Sequence, residues 1–407
     1  MLYAIQMLLS VFLIWSFLVA VIGTFTRTRE LQTQGMVANF SYAIVICAHN
    51  EETVIGNLLK CFQMQTYPQD KFHVFLLADH CTDRTAILGR RFHQVTVWER
   101  NEGTRSGKGA VLNWGIGKIK QAYPAVFDNL LVFDADNVIG KDFLSTMNQY
   151  FAQGAEIVTG KRVAQNPFAS LVSQWYTLYW CIINALYNRP RFKLGLSSML
   201  SGTGFAFRFQ LLDTQGWKTY SLSEDIEFSC QQILKGHRVD FAETALFYDE
   251  QPTDFRVMAV QLSRWCTGGY QIVKGYFRTW LSLYCRKPSL RLLDLFMALG
   301  FTVILGIVAI FYILLALGLM VEGNISVLFG PAVFMYLATC CVGLAAAYID
   351  GWPLPKLWAG VLTFPIFYIT LSLVSLWALF FPQREWVNIV HKGTPDLHPQ
   401  VKLKTTR

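Results

Sequence analysis

Asn129-Leu130-Leu131-Val132-Phe133-Asp134-Ala135-Asp136 is the stretch on which the reading of this chain turns. An apolar run of strand length drives straight into two carboxylates separated by one small residue. A short run bounded in this way fits a fully buried strand. Carboxylates at its end are costly to bury unless they are paired or bind metal. Oxygen ligands of this type suit Mg²⁺ or Mn²⁺ bridging to substrate phosphates. The bland alternative is a solvated strand–loop turn.

Outward from that point the pattern repeats. Tyr42–Ala48, His73–Asp79, Val95–Glu99 and Ala155–Thr159 also read as strands, and Glu52–Met64, Asp83–Phe92, Lys108–Gln121 and Lys141–Phe151 read as helices. Such alternation builds an α/β, Rossmann-like, mostly parallel sheet with helices on both faces, which binds ligands at the carboxyl ends of its strands. This unit is expected over residues 38–250.

The flanks differ in kind. A bilayer-crossing helix needs about 20 apolar residues. Residues 1–26 hold such a stretch, without the basic start or cleavage site of a signal peptide, and read as a retained anchor. Arg27 and Arg29 follow it, which puts the next segment in the cytoplasm. Residues 251–294 mix aromatics with Arg256, Arg264, Lys274 and Arg278, as an interfacial helix does, and Phe168–Tyr187 reads as another surface-lying helix. Residues 295–382 hold about three more spans, and 383–407 form a basic tail. One span before and three after leave that tail outside, against its charge; a half-helix broken at Pro365 would restore it to the inside. Trp386 in the tail is a candidate gate over the site.

Of the 407 residues 53% are apolar and 15% aromatic, and the net charge is +8. The basic residues are scattered, with no arm or recognition pattern for nucleic acid. Nine cysteines show no CxxC and no zinc spacing, which fits buried thiols. A transporter is disfavoured, because the expected spans carry almost no ionisable residues.

Several motifs sit at the strand ends. Ala48-His49-Asn50-Glu51-Glu52 closes the first strand and opens a helix, which favours a polar or anionic ligand or, equally, a simple cap. Asp79 ends the second strand, where it can accept from a base or ribose; Asp83 suits a helix cap. Lys108 lies between Gly107 and Gly109 and offers a cation to a diphosphate, although no P-loop pattern is present. Glu224 and Asp225 follow Ser223, itself a good N-cap, and either carboxylate could face a cleft as a general base. Gln261, Arg264 and Trp265 lie at helical spacing, Gln261 sharing a face with Arg264 or Trp265; Arg is suited to clamp a pyrophosphate and Trp to stack on a ring, or the stretch is simply an amphipathic helix anchored by Trp.

In order and context these motifs resemble the membrane-bound, family-2 inverting glycosyltransferases with a GT-A domain, the group that holds cellulose, chitin, hyaluronan and poly-N-acetylglucosamine synthases. The resemblance covers residues of about 40–270 by motif. It implies that Asp79, Lys108, Asp134 and Arg264, with Ala48, Asn50 and Glu51, bind the nucleotide sugar. It implies further that Asp134 and Asp136 hold Mg²⁺ or Mn²⁺ and that Asp225 is the catalytic base beside Glu224. Gly202, Thr203, Gln261 and Trp265 would border the acceptor. Ser223 departs from the family's usual threonine. The implied reaction moves a sugar from a UDP-sugar donor to a growing β-linked polysaccharide, coupled to its export across the cell membrane, with the catalytic domain cytoplasmic. The alternative is one sugar added to a lipid acceptor.

Overall fold

A computed structural model describes residues 2–27, 38–105, 107–212 and 216–383. Arg29, Trp386 and the basic tail beyond 383 lie outside the described residues. After α1 (Leu2–Phe25) the chain alternates: β1 (Tyr42–Ala48), α2 (Ile55–Gln63), β2 (Phe72–Asp79), α3 (Thr85–Gly89), β3 (Val95–Arg100), α4 (Lys108–Ala122), β4 (Asn129–Asp134), β5 (Val138–Ile139), α5 (Phe143–Ala152) and β6 (Ile157–Ala164). Then come α6 (Leu171–Ile182), α7 (Arg189–Lys193), β7 (Phe205–Arg208), α8 (Glu224–Leu234) and β8 (Val239–Asp249). The chain closes with α9 (Phe255–Arg286), α10 (Leu290–Val321), α11 (Phe329–Ile349) and α12 (Leu354–Phe380).

The strands form one eight-stranded sheet in the order β3-β2-β1-β4-β7-β6-β8-β5. β1 is parallel to β2 and β4, and β2 to β3, so their carboxyl ends share one edge. Short β7 runs antiparallel between β4 and β6, so the sheet is mixed rather than purely parallel. β1, β2 and β4 are apolar on both faces because helices cover both: Tyr42, Ile44 and Ile46 pack with α2 and α5, while Ala43 and Val45 pack with α4. An unbroken apolar run is what double-sided burial demands.

Among the described residues three helices are long and apolar enough to cross a membrane, over Val303–Val321, Ile325–Ile349 and Leu354–Phe380, and α1 is a further apolar helix of 24 residues. α12 runs unbroken through Pro365, so the half-helix expected as a way out of the topology conflict is not formed. The helix expected to lie on the surface over Phe168–Tyr187 is instead a core element. In α6, Trp175, Tyr176, Thr177, Leu178, Trp180 and Cys181 are buried, with α11 and α12 packed against it. A helix apolar all round is buried, and its polar residues find partners inside. Ser170 and Ser173 form a capping box, and the Gln174 side-chain carbonyl accepts from the Gly360 N–H at 2.8 Å.

Candidate active site

The carboxyl ends of β1, β2 and β4 open onto the start of α4, which Gly107 introduces with φ of 92°, a left-handed conformation that favours glycine. This places the Lys108 ammonium 2.5 Å from Asp134 Oδ1 and 2.7 Å from the carbonyl of Gly202. Burial opposes the charge on Lys108, but Asp134 and Glu224 outweigh it and hold its pKa above the usual lysine value. Asp136 is buried one residue pair further on.

A polar frame behind this edge was not foreseen from the sequence. Thr203 is fully buried and its hydroxyl accepts from the Asp134 backbone N–H at 2.9 Å while donating to Asn137 Oδ1. Asn137 Nδ2 donates to Asp249 Oδ1 at 2.8 Å and Asp136 Oδ1 at 3.4 Å. Arg162 reaches Asp249 and the Ser201 carbonyl, the latter at 2.7 Å, with its guanidinium 4.0 Å from the Trp180 ring centroid. Fixed groups of this kind preorganise a charged site. Asn137, Arg162 and Asp249 carry no local motif; the one cue is Asn137 directly behind the acidic pair.

On the β2 side, Asp79 is buried and accepts from Arg100 at 2.6 Å and from His80 at 2.9 Å, so its carboxylate is engaged inside the protein. Arg105 faces Asp79, Cys81 and Glu51 across the same corner. Asn50, with φ of 56°, accepts from the Thr82 N–H at 2.8 Å, and the Glu51 N–H donates to Thr85 Oγ1 at 2.8 Å, which ties the two loops together. Ala48 ends β1 at their base. Asp83 accepts from the Thr85 and Glu52 N–H groups, each at 2.9 Å, as a cap does.

Glu224 and Asp225 open α8 behind Ser223, which is the N-cap residue but makes no side-chain cap bond. Glu227 fixes the turn ahead of the helix, accepting from the N–H groups of Tyr220 and Ser221 at 2.8 and 2.6 Å. Burial raises the pKa of Asp225; burial and the neighbouring Asp225 charge raise that of Glu224 to about 7. A β-carbon added to Gly202, whose φ is 85°, would lie 3.9 Å from Asp225 Oδ2, so this glycine backs directly onto that carboxylate. One added to Gly109 would lie 3.5 Å from the Glu224 β-carbon. Thus Lys108, Asp134, Gly202, Glu224 and Asp225 converge on one cleft.

α9 carries Gln261, Arg264 and Trp265 beneath it. Gly268 on that helix leaves no room for a β-carbon against Ser223, and Gln271 Oε1 accepts from the Leu222 N–H at 2.9 Å. Half-buried Trp265 stacks on Tyr179 at 5.8 Å, with Tyr176 and Trp180 edge-on at 6.0 Å. The Arg264 charge reaches Glu224 and Asp225 electrostatically. Gln261 Oε1 is buried without a hydrogen-bond partner.

Among the described residues no cluster of three or more His, Cys, Asp or Glu side chains could hold a metal alone. The oxygen-only pair Asp134 and Asp136 fits instead a hard divalent cation whose remaining ligands are phosphates and water.

A mixed α/β sheet with an acidic pair, a lysine and buried carboxylates at its carboxyl edge is the arrangement of a sugar-nucleotide transferase domain of the GT-A type. The chain belongs to the glycosyltransferase like family 2, whose model matches residues 38–268. It is similar to the beta-monoglucosyldiacylglycerol synthase of Synechocystis sp. (strain ATCC 27184 / PCC 6803 / Kazusa), with 28% identity over 67% of this chain and 57% of the relative. It is also similar to the poly-beta-1,6-N-acetyl-D-glucosamine synthase of Staphylococcus aureus (strain COL), with 24% identity over 58% of this chain and 56% of the relative. The chain therefore spans a little over half the length of these two relatives. Among solved structures, the mannosyltransferase PcManGT from Pyrobaculum calidifontis, in complex with GDP-Man and Mn²⁺, matches with a TM-score of 0.60 at 17% identity. That match covers 93% of this chain and 99% of the other, and extends the likeness of fold beyond the catalytic domain.

Proposed function

We propose that this chain is a membrane-seated inverting glycosyltransferase that moves one sugar at a time from a UDP-sugar to a hydroxyl of a lipid acceptor. The observation that carries the reading is the convergence of Asp225 with Gly202, Lys108 and Asp134, over a helix keyed to the catalytic turn at Gly268. α1 and the helices α10–α12 would sit in the cell membrane with residues 38–250 on the cytoplasmic side, and the 251–294 segment at the interface.

Chemistry follows from the placement. Asp225 would take the proton of the acceptor hydroxyl as its oxygen attacks the anomeric carbon, and the bond to the diphosphate breaks on the opposite face, inverting the centre. Glu224 beside it is pushed up to about 7 by burial and by the Asp225 charge. Lys108 and Arg264 would neutralise the leaving diphosphate, an electrostatic role. Asp134 and Asp136 would hold a Mg²⁺ or Mn²⁺ ion, which supplies further positive charge to the phosphates. The Mn²⁺ and GDP-Man named for the mannosyltransferase of like fold support that set. Ala48, Asn50, Glu51 and Asp79 would line the nucleoside, with Arg100 orienting Asp79. Trp265 and Gln261 would meet the acceptor, while Thr203, wholly enclosed, braces Asp134 from behind.

The sequence reading puts polymer synthesis first; two observations reverse the order. The 28%-identical relative makes a glycolipid by its name, and the Trp265 ring is packed against Tyr176, Tyr179 and Trp180, with Phe367 against the first two. The complete Gln-x-x-Arg-Trp motif and the poly-N-acetylglucosamine relative support the polymer reading as the second. The test is a donor panel of UDP-glucose, UDP-N-acetylglucosamine, UDP-galactose and GDP-mannose on purified protein in lipid nanodiscs with Mn²⁺, beside Asp225→Asn. A single sugar on lipid is expected. A polymer would establish the second reading, and no Asp225-dependent nucleotide release with any donor would overturn both.

A further inference from the structure

Asn188-Arg189-Pro190-Arg191 is four residues long and touches four separate parts of the molecule. Arg191, 1% exposed, binds Asp294 of α10 with Nε and Nη2, both at 2.9 Å, and lies 3.5 Å over the Tyr187 ring. Asp294 also accepts the Trp15 indole N–H of α1 at 2.9 Å. A β-carbon on Gly23 of α1 would come 2.5 Å from Pro190, so α1 lies flush against α7. Arg189 pairs with Glu243 of β8 and stands 3.7 Å from Asp350, in the turn between α11 and α12, which also takes Lys161 of β6 at 2.7 Å. The apolar helices and the sheet are thus pinned to each other through one short segment.

The same segment leads into the cleft. The Leu196 N–H donates to the Arg191 carbonyl at 2.9 Å, and Asn188 Oδ1 accepts from the Met199 N–H at 2.9 Å. The Ser198 hydroxyl donates to the Asn188 carbonyl at 3.2 Å. Three residues past Met199 stands Gly202, against Asp225 and under the Lys108 ammonium. A two-point guanidinium–carboxylate pair fixes orientation as well as distance, and a buried one tolerates little change in either.

We propose that Arg191, held by Asp294 and Trp15, is a positioning residue for the loop 196–204: it sets where Gly202 stands relative to Asp225 and makes that placement depend on how α1 and α10 are seated. This rests on the reading of Gly202 as the acceptor border.

The test uses the full chain in nanodiscs with three graded variants. Trp15→Phe removes one hydrogen bond and leaves the ion pair; Arg191→Lys keeps the charge and loses the two-point geometry; Arg191→Met loses both. Acceptor kcat/KM is expected to fall about threefold for the first, as one hydrogen bond implies, and by more for each of the next. UDP affinity with Mn²⁺ should stay within twofold of wild type, since the β1–β4 edge is untouched. Hydrogen–deuterium exchange, which needs no turnover, should rise in peptides covering 196–204 and not in those covering 42–79. Arg191→Met can fail to fold without harm to the test, because Trp15→Phe and Arg191→Lys still report. Exchange unchanged at 196–204 in both, or raised equally everywhere with UDP affinity falling in step, would overturn the proposal. An inactive wild type with the expected exchange pattern would sink the functional reading and leave the positioning role standing.

Discussion

The two walls of the cleft are built in different ways. The wall formed by β1, β2, β4 and α4 comes from consecutive strand–helix units, and its charged groups stand at strand ends or a helix start. The opposite wall is assembled from the 196–204 loop, α8, α6 and α9, which are distant in sequence and rest on α10 and α12. In the proposed reading the first wall holds the nucleotide diphosphate and needs only the sheet edge. The second exists only while helices pack correctly outside the catalytic domain. Donor binding and acceptor reactivity should therefore separate under mutation.

The largest separation is expected for Asp225→Asn. Loss of a general base costs about 10²–10⁴-fold in rate, while UDP affinity, measured by calorimetry, should change little; a parallel loss of binding would break the division. Asp136→Asn should lower nucleotide affinity in Mn²⁺ by about 10²-fold, with EDTA abolishing turnover of the wild type; Mn²⁺-independent binding would remove the cation from the donor wall. Trp265→Ala should raise acceptor KM by about tenfold through lost stacking, leaving donor KM alone. The mirror case, Lys108→Met, should raise donor KM and, since Lys108 also holds the Gly202 carbonyl, is the one variant expected to disturb both.

The smallest effect is on pH. The acid limb of kcat should lie above the ordinary carboxylate range, because burial raises Asp225 and Glu224 together, the latter to about 7. A base must be ionised to act, so activity should rise with pH through that limb. Glu224→Gln removes the group raised to about 7 and should move the limb to lower pH; a limb that stays in place would argue that Asp225 alone sets it.

The contrast also accounts for what the sequence revealed. β1, with seven residues, falls where its apolar run predicted, and α9 falls inside the 251–294 segment whose mixed aromatic and basic residues read as helix. Asp134, Lys108, Glu224 and Asp225, which the structure brings together, stood out in the sequence because each follows a strand or opens a helix, a local cue. β7 and β8 were missed: β7 has only four residues, and an antiparallel insertion inside a parallel pattern leaves no periodic trace. α6 was misplaced because its serines and Gln174 look solvent-facing until Ser170 and Gly360 are seen to satisfy them. Asn137, Arg162 and Asp249 were invisible for a related reason. Their partners lie at separations such as 112 and 87 residues, which only the folded sheet brings together.

One contact described above bears on kinetic order. Lys108 joins Asp134 to the Gly202 carbonyl, so a single ammonium spans both walls before any substrate arrives. An ammonium has three N–H donors, so in the proposed reading an incoming diphosphate would share it with Asp134 and with the loop beside Asp225. The donor would then lead and the acceptor follow, as a compulsory-order sequence in which UDP leaves last. In steady-state terms, UDP should inhibit competitively against the donor and noncompetitively against the acceptor.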